Sequence, residues 1–136
     1  LSKNIKVFCY YALSQGILTG KYNSSKFIDS RANDEFFKQF MWDLNEEKIE
    51  VCRSYIKLCE SYDLSPITVA YNWCLRNQNV ASVITNFRDF KQLNTNINAM
   101  NSTYNSEINS NLEQLFKNEP VDQYTGLKFG INERRL

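Results

Sequence analysis

The stretch SPITVAYNWCLRNQNVASVITNFRDF, residues 65–90, reads as a helix, a strand and the start of a second helix. Ser65-Pro66 joins an N-cap residue to a first-turn proline, whose missing N–H is no loss there and whose φ already suits a helix. The helix runs through Val69, Ala70, Trp73 and Cys74 and frays near Asn77. VASVIT, residues 80–85, is short, apolar and β-branched. A run of that kind predicts a strand buried on both faces, the habit of parallel sheets covered by helices. It passes through Asn86, Phe87 and Arg88 into a helix predicted over 89–99, with Phe90, Leu93, Ile97 and Met100 on one side.

Working outward, IKVFCY, residues 5–10, reads as a second buried strand. A long loop follows, YYALSQGILTGKYNSSKFIDSR, with Gly16, Gly20 and a short helical turn expected over 13–19. Loops of that length usually bind something or lack order, and the aromatic and apolar content favours binding. Phe36, Phe37, Phe40, Met41 and Trp42 form an aromatic cluster, with Asn33 or Asp34 as a cap for a short helix. Next comes a helix over 46–62. Asn45 caps it, Glu46 and Glu47 sit at its positive end, and Ile49, Cys52, Ile56 and Cys59 recur at spacings of 3 and 4. A last helix covers 105–117, with Ile108, Leu112, Leu115 and Phe116. Two lone strands cannot bury both faces of a sheet, so the pattern calls for further parallel strands from residues outside this chain. The start at Leu1, with nothing before the first strand, fits that expectation.

The 136 residues suit one domain, and 43% hydrophobic content is enough to fill a core. A formal charge of +1 exerts no global pull toward nucleic acid or anionic lipid. No apolar run approaches the roughly 20 residues needed to span a bilayer, and no signal peptide is visible. Seventeen asparagines spread through helix and loop alike and make no motif. Cys9, Cys52, Cys59 and Cys74 show no CxxC spacing and there is no histidine, which excludes a Cys/His zinc site. Buried free thiols in a reducing, cytoplasmic compartment are the plainer reading.

Chemistry gathers at two places. Arg88, Gln92 and Asn96 are spaced by four and share a helix face that begins at an N-terminus, where backbone amides favour anions. Such a polar rail suits a phosphate followed by a sugar or base; a solvated helix surface uses the same residues. The loop carries Lys21 and Arg31 among hydroxyls at Thr19, Ser24, Ser25 and Ser30, a point charge and a fork suited to phosphate. Neither a Walker A sequence nor GxGxxG is present. Tyr10 closes the first strand, where an aromatic can lie against a planar ring or plug the end of a barrel. Without histidine, neither a Ser/His/Asp nor a Cys/His nucleophile site can be built, and no catalytic constellation is complete.

Together these segments resemble the C-terminal part of an aldo-keto reductase, most closely the branch of the voltage-gated potassium channel beta subunits. The resemblance rests on Tyr10-Tyr11-Ala12-Leu13, Gly16, Ile17-Leu18-Thr19-Gly20-Lys21-Tyr22, Ser30-Arg31, AYNWCLRNQNVASVITN over 70–86, and Gln92-Leu93 with Asn96-Ile97. Departures are Tyr11-Ala12 for the family's Ser-Pro, Asn86 for a glycine, Arg88 for a serine and Thr95 for an acid. The resemblance implies an α/β fold: the C-terminal portion of a (β/α)8 TIM barrel, two parallel strands with flanking helices over 1–120; the tail over 121–136 lies outside the match and, with few periodic cues, reads as irregular. It implies NADPH as cofactor. Tyr10 would sit beside the nicotinamide, Leu13, Gly16 and Lys21 along the pyrophosphate, and Arg31 as a clamp. Arg88, Gln92 and Asn96 would hold the adenosine and its 2′-phosphate. The family's catalytic Asp, Tyr, Lys and His have no counterpart among these residues. Hydride transfer between nicotinamide and a small carbonyl substrate is the implied activity. The alternative is a channel-beta-like accessory subunit, with a channel alpha subunit or a homo-oligomer as partner. A stand-alone helical interaction module is a third reading, which the two strands oppose.

Overall fold

The computed structural model describes residues 5–23, 31–38, 46–102 and 104–117, without the side chains of Arg31, Phe37 and Lys38. In chain order these form β1 (Val7–Tyr10), a 3-10 turn (Ser14–Thr19), a second (Arg31–Asn33), α1 (Glu35–Lys38), α2 (Glu46–Ser61), α3 (Pro66–Leu75), β2 (Val80–Ile84), α4 (Phe90–Asn101) and α5 (Ile108–Leu115). The expected Asn45 cap, the cluster residues Phe40, Met41 and Trp42, and the tail over 121–136 lie outside the described residues. Phe36 is exposed, and Asp34 starts α1 by accepting the Phe36 N–H at 2.9 Å.

β1 and β2 pair in parallel, with Cys9 opposite Val83 and Tyr10 opposite Ile84, after an irregularity between Val7 and Phe8. The fold is thus α/β, a small parallel sheet with flanking helices. No closed barrel is seen among the described residues. Among the described residues the two strands are covered on one face only. Val83 is buried and Cys9 half-buried, because they face the helices together with Tyr71 and Ala99. On the other face Phe8, Tyr10 and Ile84 are 63%, 70% and 60% exposed. Successive side chains alternate, so one face has a helix layer and the opposite face has none among the described residues.

α2 buries Ile49, Cys52, Tyr55 and Cys59, with Tyr55 taking the inner place expected of Ile56, which is half-buried. The helix ends in a Schellman closure. Leu64 N–H donates to Cys59 O and Asp63 N–H to Glu60 O, both at 3.0 Å, with Asp63 left-handed at φ 53°. That turn places Ser65-Pro66 to begin α3, where Ser65 is extended and makes no side-chain cap bond. Arg76 then stacks on the Trp73 ring and meets Glu113 at 3.1 Å, joining α3 to α5.

The apolar side expected of α4 holds in part: Leu93 and Met100 are half-buried, Met100 against Tyr71, Val83 and Ala99. Phe90 is 82% and Ile97 43% exposed, whereas Asn96 and Ala99 are buried. Asn96 reaches the polar end of β2, and that pairing outweighs hydrophobic spacing. α5 is shorter than 105–117, but Ile108 and Leu112 point inward as expected. They form one core with Tyr55, Cys59 and Val69. Among the described residues no helix is long and apolar enough to cross a membrane.

All four cysteines are free thiols, with Cys52 and Cys59 buried and Cys9 and Cys74 half-buried. Burial pushes the Cys59 thiol up from 9.0 to about 11. A buried thiol resists ionising while the same group in an unfolded chain does not, so its contribution is complete below about 9 and is lost as pH rises toward about 11. Burial moves Cys52, Tyr71 and Cys74 the same way. Urea midpoints should therefore fall between about pH 9 and about pH 11, less steeply in Cys59→Ala. A profile that stays level there would contradict the enclosed thiols.

Candidate cofactor-binding site

Parallel pairing places the carboxyl ends of β1 and β2 on one edge of the sheet, level at Tyr10 and Ile84. The loop after Tyr10 and the entry to α4 both leave from that edge, the usual place for ligand sites in parallel sheets. Tyr10 stands 70% exposed on the open face, edge-on to Tyr11 with ring centroids 6.3 Å apart. Leu13, expected along a pyrophosphate, packs instead against the core of Tyr71, Val83 and Ala99. It is an anchor beneath the loop, because its aliphatic side chain gains more inside than at a polar rim.

Above that anchor the backbone is tightly wound. Tyr11, Ser14 and Gln15 have φ of 70°, 45° and 53°, and Gly16 and Gly20 have 87° and 79°. Left-handed non-glycine residues cluster where surrounding structure overrides their preference, often at binding sites. Ser14 N–H donates to Tyr11 O and Gly16 N–H to Leu13 O, each at 2.8 Å. Thr19 Oγ1 donates to Gly16 O at 2.7 Å and accepts from Lys21 N–H at 3.4 Å. Lys21 returns across Gly16: a Cβ on Gly16 would lie 2.7 Å from both its Cε and its Nζ. Its ammonium sits 4.8 Å from the centre of the Tyr22 ring. Gly16 and Lys21, named separately from the sequence, are therefore in contact.

Cys52 supports this loop from below. Its thiol donates to Ile17 O at 2.9 Å, the Gly20 N–H faces the sulfur, and burial raises its pKa. It packs with Ile17, Tyr22 and Ala32. Ala32 brings the turn that begins at Arg31 back to the loop, while the Arg31 side chain lies outside the described residues.

The rail on α4 is only partly as expected. Asp89 caps the helix, its Oδ1 accepting Gln92 N–H at 2.8 Å, and Gln92 Oε1 in turn accepts Arg88 N–H at 2.8 Å. This reciprocal pairing resembles a capping box, shifted by one residue on the return bond. Asp89 Oδ2 also meets Arg88 Nε at 3.6 Å. The helix start is therefore already supplied with a carboxylate, which corrects the expectation of an open amide site there. Arg88 and Gln92 are exposed. Asn96 is not on the open face; it donates to Thr85 Oγ1 at 3.3 Å and to Asn86 O at 3.4 Å. Thr85 Oγ1 also lies 2.6 Å from Tyr71 OH.

Asp89, Thr85, Tyr71 and Cys52 were not singled out as site residues by sequence reasoning. The spacing Asp89-x-x-Gln92 carried a signal for the cap; nothing local marked Thr85. As chemistry, the edge offers an open aromatic at Tyr10, a cation folded over a glycine, and an arginine beside a helix start. Those are groups that bind a planar ring and phosphates; no acid, base or nucleophile is assembled around them among the described residues.

The sequence pattern of the aldo/keto reductase family matches residues 1–117. Among individual proteins, Protein tas of Escherichia coli (strain K12) is 25% identical over 112 residues, covering 82% of this chain and 32% of that protein. Protein tas of Shigella flexneri gives the same identity and coverage. The chain thus spans about a third of the length of these curated relatives. With the family pattern running from residue 1 to residue 117 over this parallel-stranded α/β arrangement, the chain belongs to the aldo/keto reductase family.

Proposed function

We propose that this chain is the cofactor-binding portion of an NADPH-dependent aldo-keto reductase, the C-terminal arc of a (β/α)8 barrel. Family membership supports the reading, and one structural observation carries it. Lys21 folds over Gly16 in the loop that leaves the carboxyl end of β1 after the open aromatic Tyr10, and Arg88 follows the carboxyl end of β2, level with it on the same sheet edge. An extended dinucleotide needs that order of groups. Tyr10 flanks the nicotinamide, Gly16 and Lys21 receive the pyrophosphate with Arg31 as clamp, and Arg88 takes the 2′-phosphate. Gln92 orients Arg88 through its backbone N–H. Asn96 and Leu13 act from within, holding the strand end and the loop.

When bound, NADPH supplies a hydride for a small carbonyl substrate. These residues bind and orient it, and the family's catalytic Asp, Tyr, Lys and His are assigned to none of them. The reading places the protein in the cytoplasm, where the cofactor and reduced thiols coexist. Titrating NADPH into the complete protein and following its fluorescence should give saturable binding, weakened at least tenfold in Lys21→Ala, since a charge-assisted phosphate bond is worth about 1.5–3 kcal/mol. Absence of saturable binding would remove the assignment.

A channel-beta-like accessory role is a second reading, supported by the spacing of Ser30-Arg31. Co-purification with a channel alpha subunit separates it from a free reductase.

A further inference from the structure

We propose that the Thr85 hydroxyl is a positioning group for the nucleotide end of the site, held in common by Tyr71 and Asn96. Three elements meet at this one oxygen. Thr85 follows the last residue of β2, Tyr71 lies on α3 with no exposed surface, and Asn96 lies on α4 at 5% exposure. Tyr71 OH is 2.6 Å from Thr85 Oγ1, and Asn96 Nδ2 donates to the same atom at 3.3 Å. An amide NH2 can only donate, so Thr85 accepts from Asn96, and its hydroxyl forms a second hydrogen bond with the Tyr71 phenol in which either oxygen can donate.

The consequence lies in the short link that follows. Only Asn86, Phe87 and Arg88 separate Thr85 from the Asp89 cap. α4 grips that link at both ends: Asn96 Nδ2 donates to Asn86 O at 3.4 Å, and Gln92 Oε1 accepts Arg88 N–H at 2.8 Å. Asn72 Nδ2 reinforces the same helix pair by donating to Thr68 O on α3 and Ala99 O on α4. Arg88 therefore leaves the sheet edge in a direction set by a buried polar junction. Removing the central oxygen leaves a buried phenol and a buried amide short of a partner, which costs more than an ordinary hydrogen bond. Relief comes by moving the link, and Arg88 moves with it.

The inference rests on the dinucleotide reading for its ligand but not for its geometry, and the test separates the two. In the complete protein, Thr85→Val keeps the shape and deletes the hydroxyl, while Thr85→Ser restores it. Affinity for NADPH and for adenosine 2′,5′-bisphosphate should fall about tenfold in Thr85→Val, from the unpaired groups. Affinity for reduced nicotinamide mononucleotide should be unchanged, and Thr85→Ser should return adenosine bisphosphate binding to within about threefold of the parent. Equal loss on both halves, or loss shared by Thr85→Ser, overturns the proposal. Amide hydrogen exchange without ligand gives the independent arm: Asn86–Arg88 should exchange faster in Thr85→Val and not in Thr85→Ser. Unchanged exchange there overturns the positioning role, whereas faster exchange in a protein that binds neither half overturns only the dinucleotide reading. Should Thr85→Val not fold, Tyr71→Phe removes one arm alone and should show the same split in smaller degree.

Discussion

Gly16→Ala should weaken NADPH binding by at least tenfold in the complete protein. Gly16 stands at φ 87°, where an L-residue costs about 1–2 kcal/mol. The added Cβ would also lie 2.7 Å from Cε and Nζ of Lys21. The crowded atoms are the far end of a flexible side chain, so the lysine gives way and the ammonium leaves its position over the loop. Strain and lost charge act together, and about 1.4 kcal/mol is already a factor of ten. Fluorescence titration of NADPH measures the affinity, and urea denaturation should show a stability loss of about 1–2 kcal/mol alone. Gly20→Ala should be milder at contact, since its Cβ would meet Ile56 Cδ1 at 3.3 Å. Parental affinity in Gly16→Ala, with stability lowered as expected, would detach the loop from the cofactor.

Tyr55→Ala should lower the unfolding free energy by about 3–5 kcal/mol, the range for deleting a buried aromatic ring. Tyr55 is 2% exposed where α2, α3 and α5 meet, in one cluster with Cys59, Val69, Ile108 and Leu112. Its ring lies 5.9 Å from that of Phe116, and its hydroxyl donates to Pro66 O at 2.6 Å. Burial also raises its phenol pKa well above the ordinary value, as an enclosed hydroxyl requires. Tyr55→Phe keeps the ring and should cost only about 1–2 kcal/mol, the hydrogen bond and the Pro66 carbonyl left behind. Against a total of about 5–15 kcal/mol, the alanine variant loses much of the folded population. Urea unfolding of the three proteins measures the series. An alanine variant within about 1 kcal/mol of the parent would mean that this helix junction lies outside the cooperative unit.

Much of the order of elements was legible locally. Ser65-Pro66 located α3 because a fixed φ and a missing N–H act on the residue that carries them. β-branched composition located both strands, and glycines located the wound loop. The α4 face was legible only in part, at Leu93 and Met100. Hydrophobic spacing placed Ile97 inward, yet Asn96 turned inward because a strand end with polar groups lay beneath it. In the site, Gly16 and Lys21 were read one by one from the sequence, and their contact required the loop to fold back. Leu13, half-buried, packs against Tyr71, Val83 and Ala99, and Asn96 is buried against the end of β2, placements that no local pattern announced.

The linear chain therefore determined its elements, their order, and the family to which 1–117 belongs, since capping, propensity and motif spacing act over a few residues. Tertiary structure alone decided which side of each element is covered and which polar atoms pair across elements. Burial and buried hydrogen bonds depend on what stands opposite, as the Thr85 oxygen between α3 and α4 shows, and no residue carries that information by itself.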